Sequence, residues 1–334
     1  MQLRAGVIGL GVGEAHLQTY ASHPSCRVTK VSDFSSEKLE QIKTKYPHVN
    51  VTQNAHEVLQ DPDIDIVSIA SYDCYHFGQI ITALNHKKHV FVEKPVCLHR
   101  DEAVKIYELL KKKPSLYFSC NMILRKSPRF IFLKEMMEQK KFGDLYYIEG
   151  DYFYGRLNKL TGGWRGKMDF YSITYGGGVH LVDLLLWLTE SQVFEVYSYS
   201  NKIASRGSQF QYDDFVTTLL KFKNGLLGKV SSNFGCVRPH FHGLSIFGTE
   251  ATFVNDVPHA KLYQGCESSA VVQEINTPYP GVDKGALLFD FINAIVKGTK
   301  PLVTIDEIMN AMAVCFAIEE AAKTEKPTPV QEIG

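Results

Sequence analysis

The chain has 334 residues, of which 45% are hydrophobic and 22% are charged, so it has enough apolar side chains for a sizeable core and is neither disordered nor fibrous. Its 36 Lys and Arg residues balance its 36 Asp and Glu residues, which argues against nucleic acid or an anionic membrane as the main partner. The seven cysteines are scattered without a C-x-x-C pair. This pattern excludes a disulfide framework and a cysteine zinc site, and it favours the cytoplasm.

Short β-branched segments alternate with amphipathic segments over the first third of the chain, which indicates consecutive βαβ units and a parallel sheet. Strands are predicted at residues 5–10, 28–33, 64–70, 89–93 and 116–120. Helices are predicted at residues 14–22, 37–46, 76–85 and 101–112. Residues 1–121 are therefore predicted to form a doubly wound Rossmann domain of the α/β class.

The pattern changes beyond residue 121, where strands follow one another with turns between them. Strands are predicted at residues 146–154, 193–198, 215–222, 228–233, 242–247 and 251–255, and helices at residues 128–139, 180–189, 286–296 and 305–324. Residues 122–334 are thus predicted to form a substrate-binding α/β domain with a largely antiparallel open sheet. Such a sheet leaves one face needing cover, so we expect a homo-oligomer, a dimer or tetramer formed through this sheet.

A glycine-rich turn follows the first predicted strand and opens the first helix. Gly9, Gly11, Val12 and Gly13 would bring bare backbone and a positive helix end close to a pyrophosphate. The third glycine comes one position earlier than in G-x-G-x-x-G, so the turn alone is a weak signal. Taken with a suitable acid further along the chain, it predicts a dinucleotide site.

Asp33 supplies that acid, because it ends the second strand about 20 residues later, where a carboxylate accepts from the ribose 2′-hydroxyl. The alternative role for Asp33 is to cap the next helix, but Ser35 or Ser36 is the more natural cap. A carboxylate repels a 2′-phosphate, and residues 34–36 contain no Lys or Arg to bind one. NAD is therefore predicted as the cofactor in preference to NADP.

The sequence Glu93-Lys94-Pro95 follows a buried strand, at the sheet edge where ligands of open α/β sheets bind. Lys94 at such a strand end either extends to solvent or lies in the cleft beside the nicotinamide. Proline fixes the turn that follows and removes a backbone donor. The turn therefore offers a constrained lysine next to the predicted cofactor.

The chain resembles the glucose-fructose oxidoreductase and inositol dehydrogenase (Gfo/Idh/MocA) family over nearly its whole length. Glu-Lys-Pro at this distance from a glycine turn is the most specific feature. The other matching features are the glycine turn with His16, Asp33, the segment 71–76, the approach to Pro95 from Asn85, Gly176-Gly177-Gly178 with His180 and Asp183, and Asn224-Gly225 before Phe247-Gly248-Thr249.

The resemblance implies a role for each matching residue. Lys94 would bridge cofactor and substrate and exchange a proton with the reacting hydroxyl, while His180 corresponds to the proton-transfer histidine of the family and Asp183 to a ligand of substrate hydroxyls. The residues implied at the dinucleotide are Gly9, Gly11, Val12, Gly13, Asp33, Ser71, His76, Glu93, Lys94 and Asn121. A helix N-terminal histidine satisfied by backbone is the structural alternative for His180.

Removing hydride from a carbinol carbon also requires removal of the hydroxyl proton, so a base must lie beside that oxygen. Lys94 can serve if desolvation or the positive charge of oxidised nicotinamide lowers its pKa, whereas an unperturbed histidine already titrates near neutrality. Either Lys94 or His180 is a candidate base. The chain departs from the family at Gly176, where many members carry an aspartate four residues before the histidine, and at Tyr72, where proline is common.

Further candidate substrate contacts lie in the second domain. Trp164 is a candidate for stacking on a sugar or nicotinamide, and Arg165 for holding a carboxylate or phosphate, although core packing and solvent exposure explain them equally well. Arg125 and Tyr175 are also candidates. His240 and His242 alternate on a strand, but no third ligand at suitable spacing accompanies them, so no metal is predicted.

Together these features predict an NAD-dependent oxidoreductase that acts on a CH–OH group of a sugar, nucleotide sugar or cyclitol. Two alternatives share the fold. One is a glycosidase that oxidises its substrate transiently with tightly held NAD, and the other is a non-catalytic sugar sensor, which the absent aspartate favours. The intact Glu93-Lys94-Pro95 argues against the sensor.

Overall fold

The computed structural model describes residues 2–266 and 271–334. The chain divides into two compact units, of which unit 1 contains Met1–Ile123, Asp283–Met309 and Ile333–Gly334, and unit 2 contains Leu124–Val282 and Asn310–Glu332. The predicted domains, 1–121 and 122–334, are continuous in sequence, whereas both units are built from separate segments. The difference arises because residues 283–309 pack with the N-terminal segment, a long-range association that local sequence patterns do not report.

Helices were assigned in chain order from α1 to α10. Their bounds are α1 Gly13–Ser22, α2 Ser36–Lys45, α3 His56–Leu59, α4 His76–Asn85, α5 Arg100–Lys111, α6 Pro128–Glu138, α7 Asn158–Thr161, α8 Val179–Thr189, α9 Ala286–Lys297 and α10 Ile305–Thr324. Apolar spacing explains the longer ones, since α5 buries Ala103, Ile106 and Leu110 at intervals of three and four residues. The sequence predicted these longer helices to within a few residues and missed α3 and α7.

Strands were assigned from β1 to β15. Their bounds are β1 Leu3–Ile8, β2 Cys26–Ser32, β3 Asn50–Thr52, β4 Ile66–Ile69, β5 His89–Val92, β6 Phe118–Cys120, β7 Leu145–Phe153, β8 Val193–Asn201, β9 Phe215–Phe222, β10 Leu227–Asn233, β11 Phe241–Gly248, β12 Thr252–Val254, β13 Ala260–Gln264, β14 Val271–Ile275 and β15 Thr328–Pro329. The short or solvent-exposed strands β3, β13, β14 and β15 were not predicted.

Unit 1 contains a six-stranded sheet in the order β3-β2-β1-β4-β5-β6, with every pair parallel. The strand order reverses direction at β1 and β4, the switch point at which open α/β sheets bind ligands. All four residues of β4 are buried, as expected for a strand covered by helices on both faces. The predicted doubly wound Rossmann fold is confirmed.

The described part of unit 2 contains a nine-stranded sheet in the order β14-β13-β12-β11-β7-β10-β9-β8-β15. Among the described strands of this sheet only β7 and β10 pair in parallel, so the prediction of a largely antiparallel sheet is also confirmed. Helix α8 covers one face so closely that a Cβ on Gly150 of β7 would lie 3.2 Å from Leu185. Leu219, Leu227 and Tyr199 on the opposite face are exposed.

Within residues 2–266 and 271–334, no helix has both the length and the apolar character needed to span a membrane.

Candidate functional site

The candidate cofactor residues of unit 1 all follow the carboxyl ends of parallel strands. The glycine turn follows β1, Asp33 follows β2, Ser71 follows β4, Glu93 and Lys94 follow β5, and Asn121 follows β6. Parallel strands end at one edge of their sheet, so these residues share that edge. The strand assignments therefore explain why residues up to 112 positions apart in the sequence belong to one half-site.

Close packing against β1 and β4 explains two of the glycines in the turn. Gly9 has φ +83°, and a Cβ there would lie 2.3 Å from the Ala70 carbonyl oxygen, so no other residue fits without distortion. A Cβ on Gly13 would lie 3.1 Å from Val7, so glycine allows α1 to begin directly against β1. The early position of the third glycine thus follows from where α1 starts.

Asp33 fixes the glycine turn as well as lying at the predicted ribose position. Its Oδ2 accepts from the backbone N–H of Leu10 at 2.6 Å, and its Oδ1 accepts from that of Ser35 at 2.8 Å. The Ser35 side chain caps α2 by accepting from the Lys38 N–H, as the sequence predicted. Asp33 therefore has no capping duty at α2 and retains acceptor positions for another donor.

The expectation that no cation lies near Asp33 was wrong. Lys38 is only one turn into α2, and its Nζ lies 3.5 Å from Asp33 Oδ2. Inspection of residues 34–36 missed it because the first turn of α2 carries the lysine back towards the strand end. The half-exposed ammonium weakens the repulsion that Asp33 would exert on a 2′-phosphate.

Glu93 is the centre of a polar cluster behind Lys94. Its Oε1 lies 3.2 Å from His16 Nε2 and accepts from Asn121 Nδ2 at 2.6 Å. Burial alone raises the pKa of Glu93, but the hydrogen bonds and charges of His16, Lys94 and Asn121 outweigh it and lower the pKa to about 2. Glu93 is therefore a carboxylate at any physiological pH, and it holds a fixed negative charge beside Lys94.

His76 and Ser71, which the resemblance implies at the dinucleotide, each have partners within unit 1. His76 is fully buried, with Nδ1 2.6 Å from the Pro95 carbonyl oxygen and Nε2 3.2 Å from that of Ser71. The Ser71 hydroxyl donates to Gln79 at 2.7 Å. His76 thus ties the turn after β4 to the Glu-Lys-Pro turn, whose Lys94–Pro95 peptide bond is cis. It supports the position of Lys94 from behind.

Three features of unit 1 fit a dinucleotide. No described atom lies within 4 Å of a Cβ built on Gly11, so the turn has open space in front of its backbone. Helix α1 has no side-chain cap at Val12, the residue before its first turn, which leaves its first N–H groups for an anion. Asn121 Oδ1 is buried without a hydrogen-bond partner among the described residues and could accept from an amide such as that of nicotinamide.

In unit 2, the glycine run forms a π-helix, Thr174–Gly178, that leads directly into α8 and His180. Each glycine makes room for a neighbouring side chain. A Cβ on Gly176 would lie 2.1 Å from Tyr171 Oη, one on Gly177 would lie 2.4 Å from Tyr152, and one on Gly178 would lie 2.3 Å from Ser232 Oγ. The π-helix can therefore lie directly on β7 and β10, which brings His180 up to the sheet.

His180 belongs to a cluster of rings that the sequence did not predict. Tyr152 of β7 lies 6.3 Å from His180 between ring centroids, and His242 of β11 lies at the same distance. His240 is 4.8 Å from His242 and 5.3 Å from Tyr152. The only signals in the sequence were alternating polar rings, Tyr152 with Tyr154 and His240 with His242, on strands whose pairing was unknown.

His242 of β11 and His240, which lies just before this strand, are neutral donors and acceptors. Burial lowers the pKa of His242 to about 3, with His240 adding to the effect, and burial with the nearby Arg156 lowers the pKa of His240 to about 4. Tyr279 Oη accepts from the His242 backbone N–H at 2.9 Å and lies 2.6 Å from His242 Nδ1. In the second contact the phenol and Nδ1 can each act as donor or acceptor, and the two contacts together hold His242 against Tyr279.

Arg125 and Asp183 bind one another. Arg125 Nε donates to Asp183 Oδ2 at 2.9 Å and Nη2 donates to Oδ1 at 2.6 Å, and both side chains are about 1% exposed. The resemblance implied that Asp183 holds substrate hydroxyls, and Arg125 was a candidate substrate contact. In the structure both belong to a bidentate ion pair that joins the segment before α6 to α8, and their roles towards a substrate stay predictions.

The remaining predicted substrate residues also have protein partners. Arg165 Nε donates to Tyr171 Oη at 3.0 Å, and the guanidinium lies 4.6 Å from the Trp164 ring. Tyr175 is 4% exposed and packs against Phe316 at 5.7 Å. Packing within unit 2 therefore explains the positions of Trp164, Arg165 and Tyr175. No group of His, Cys, Asp or Glu side chains among the described residues has the geometry of a metal site.

Comparison with protein families gives two matches that together cover most of the chain. Residues 3–120 match a family described as the oxidoreductase family with an NAD-binding Rossmann fold (Gfo/Idh/MocA), and residues 130–254 match the C-terminal domain of the same family.

Several curated relatives are dehydrogenases. The myo-inositol 2-dehydrogenase of Thermotoga maritima is 23% identical over 99% of both chains, and the scyllo-inositol 2-dehydrogenase (NAD(+)) of Bacillus subtilis is 25% identical over 77% of this chain and 75% of its own. Among solved structures, a levoglucosan dehydrogenase in complex with NADH and L-sorbose superposes with a TM-score of 0.88 at 21% identity, covering 99% of this chain and all of that one. At this identity the structural match shows the shared fold.

These matches confirm the predicted family and NAD as the cofactor. The glycine turn, Asp33 and the Glu93-Lys94 cluster agree with them, since they form the carboxyl edge of a parallel sheet as a bound dinucleotide requires. The chain therefore belongs to the Gfo/Idh/MocA family of oxidoreductases and has an NAD-binding Rossmann domain at its N-terminus.

Proposed function

We propose that this oxidoreductase transfers a hydride between NAD and a carbinol or ketone carbon of a sugar, nucleotide sugar or cyclitol. The observation that carries this proposal is the support around Lys94, which follows β5 between the ionised Glu93 and a turn held by His76. A lysine so closely supported at the ligand-binding edge of a Rossmann sheet is suited to chemistry more than to solvent exposure.

The residues of unit 1 divide the work of cofactor binding. The backbone of the glycine turn and the N-terminus of α1 would bind the pyrophosphate, Asp33 the ribose and Asn121 the nicotinamide amide. Bound NAD would supply the hydride acceptor. Phe34, Tyr72 and Tyr75 form an exposed aromatic group beside Asp33, with 5.8 Å between the rings of Phe34 and Tyr75, and it offers a stacking surface for adenine.

Proton transfer is assigned to Lys94 and His180. As hydride leaves the carbinol carbon, the hydroxyl proton passes to one of these bases, and the products are a ketone, NADH and a proton. With the fixed negative charge of Glu93 beside it, Lys94 would stabilise or reprotonate the developing alkoxide. His180 is the second candidate base, since a neutral imidazole has a nitrogen that can accept the hydroxyl proton.

A polyhydroxylated substrate suits the side chains around His180. Tyr152, His240 and His242 offer neutral donors and acceptors, and a site built to pair hydroxyls rejects analogues that lack them. Relatives named as inositol and levoglucosan dehydrogenases agree with this class. Turnover assays with a panel of polyols would identify the particular sugar and the carbon that is oxidised.

The test offers the protein NAD and a panel of sugars, nucleotide sugars and cyclitols. Reduction of NAD is measured by the fluorescence of the NADH formed. Turnover with a polyol and far weaker turnover with simple aliphatic alcohols is the expected result. Retention of NAD that no panel member reduces would favour the sensor, and cleavage of a glycoside without net NADH would favour the glycosidase. Lys94→Met, run in parallel, shows whether any observed reduction depends on this site.

A homo-oligomer is proposed on the open face of the unit 2 sheet. Leu219 is 59% exposed, Leu227 52% and Tyr199 51%, which is apolar surface that a second copy would cover. Sedimentation of the protein as a dimer or tetramer, with Leu219→Glu shifting it towards the monomer, is the expected result. A wild-type monomer at micromolar concentration would overturn this part of the proposal.

A further inference from the structure

The π-helix that leads to His180 has no side chain at position 176, where many family members carry an aspartate. The structure shows what occupies the space. A Cβ built on Gly176 would lie 2.1 Å from Tyr171 Oη and 2.8 Å from Tyr171 Cζ. These distances are far shorter than any real Cβ contact, so the phenol hydroxyl lies where a side chain at position 176 would begin.

Tyr171 is held in this place by its neighbours. The residue is 3% exposed, packs against Phe210 at 6.1 Å and receives a hydrogen bond from Arg165 Nε at 3.0 Å. Trp164 packs edge-on against Tyr171 at 6.2 Å and also against the Arg165 guanidinium. Because Arg165 is a donor only, the Tyr171 oxygen is the acceptor and its own O–H is directed elsewhere.

We propose that Tyr171, oriented by Arg165, takes the place of the missing carboxylate at position 176, about one helical turn before His180, and acts as a positioning residue for that histidine. This inference rests on the proposed function, in which His180 takes part in proton transfer. An aspartate at position 176 would accept hydrogen bonds and carry a charge, whereas the phenol gives a neutral O–H that can donate. The π-helix is thereby held in place by an uncharged group, and a proton on His180 gains no stabilisation from an anion at this position.

The exchange is steric as well as electrostatic. Tyr152 and Ser232 occupy in the same way the space where side chains at positions 177 and 178 would lie. Side chains from other segments therefore pack against the whole glycine run. Any side chain at position 176 must displace Tyr171, and loss of Tyr171 opens space for one. Positions 171 and 176 should therefore be strongly coupled in mutational experiments.

The other groups near His180 determine how a carboxylate introduced at position 176 would change the charge around this histidine. Tyr152 of β7 and His242 of β11 face its ring, and Asp183 on α8 itself is already paired with Arg125. The pKa of Tyr152 is raised and that of His242 is lowered by burial, so neither carries a charge near neutral pH. A new carboxylate at position 176 would change the local charge without competing with another free anion among these groups.

The first experiment is a stability cycle that does not need activity. Gly176→Asp should lower the melting temperature by at least about 4 °C, because Tyr171 must be displaced. In the Tyr171→Ala background the same Gly176→Asp change should cost less than half as much. Equal losses in the two backgrounds would show that the side chains do not compete for one space, which would overturn the proposal.

The second experiment follows the titration of His180 by NMR, with His180→Gln to assign the signal. The double variant Tyr171→Ala/Gly176→Asp should titrate at higher pH than Tyr171→Ala, because the new carboxylate stabilises the imidazolium. An unchanged midpoint would overturn the placement of position 176 beside His180. Both measurements remain decisive if no panel compound is turned over, so failure of the proposed function is distinguishable from failure of this inference.

The third experiment uses turnover, once a substrate is known. Tyr171→Phe should keep the wild-type melting temperature within a few degrees and bind NAD normally, yet lower kcat about tenfold and change its pH profile. Tyr20→Phe is the matched control, because it removes a buried hydroxyl that bonds Ser68 at 2.9 Å in unit 1. Native kcat, KM and pH profile in Tyr171→Phe would contradict the assigned role.

Discussion

The two half-sites are assembled in different ways. In unit 1, each candidate residue lies within seven positions of the carboxyl end of a strand, and the parallel sheet alone brings the strand ends together. In unit 2, Tyr152, His180 and His242 come from a strand, a helix and a second strand, and they meet only because β7 pairs with β11 under α8. Local motifs therefore describe the first half-site well, and tertiary packing decides the second.

The buried ion pair of unit 2 gives the largest expected effect. Arg125→Met leaves Asp183 buried without its bidentate partner, so we expect the free energy of unfolding to fall by about 3–5 kcal/mol in urea titrations. Arg125→Met/Asp183→Leu should recover much of that loss. If Asp183→Asn instead leaves stability unchanged and raises only KM, the pair is a substrate site of the kind that the resemblance implied.

In unit 1, substitution of Lys94 tests whether this lysine serves the chemistry or the binding of the cofactor. Lys94→Met should reduce turnover by at least about 10²-fold while NAD affinity stays within about tenfold, because the lysine serves the chemistry more than the cofactor. Stopped-flow turnover and calorimetric NAD binding measure the two effects. Lys43→Met, which removes an exposed lysine of α2, is the control, and near-native turnover in Lys94→Met would refute the mechanism.

Cofactor choice depends on the balance between Asp33 and Lys38. We expect NAD to bind more tightly than NADP. Asp33→Ala should reduce the ratio of the NADP and NAD dissociation constants about tenfold, or ~1.4 kcal/mol. Lys38→Ala should increase the preference for NAD over NADP, because the ammonium 3.5 Å from Asp33 Oδ2 is a cation available to a 2′-phosphate. Equal affinities of the unmutated protein for the two cofactors would contradict the assignment.

The smallest effect is the pH dependence of stability that arises from the neutral side chains of His240 and His242. The pKa of His240 is lowered to about 4 and that of His242 to about 3, whereas the unfolded chain binds their protons near pH 6.5. Unfolding therefore takes up as many as two protons between pH 6.5 and 4, and stability should fall as pH decreases through this window. The number of protons taken up on unfolding is obtained from the slope of the free energy of unfolding, measured in urea, against pH. His240→Gln should lower this number by about one. An unchanged slope would show that His240 is protonated in the folded protein.

The sequence predicted most of what depends on local pattern. Periodicity identified the longer helices, and the Ser35 cap freed Asp33 for another role. Three-residue strands such as β3 carry too little pattern to be predicted. Lys38 was missed because the helix turn returns it to Asp33, and Tyr171 because nothing in the sequence reports that its hydroxyl fills the space above Gly176.

The most direct test of the account is transfer of deuterium from the carbinol carbon of a labelled polyol to NAD, detected in the nicotinamide by mass spectrometry. The account predicts transfer with at least one sugar, nucleotide sugar or cyclitol by the unmutated protein, and a loss of at least about 10²-fold in Lys94→Met. No label in NAD from any panel member, with the cofactor bound, would contradict the claim that this chain is a polyol dehydrogenase.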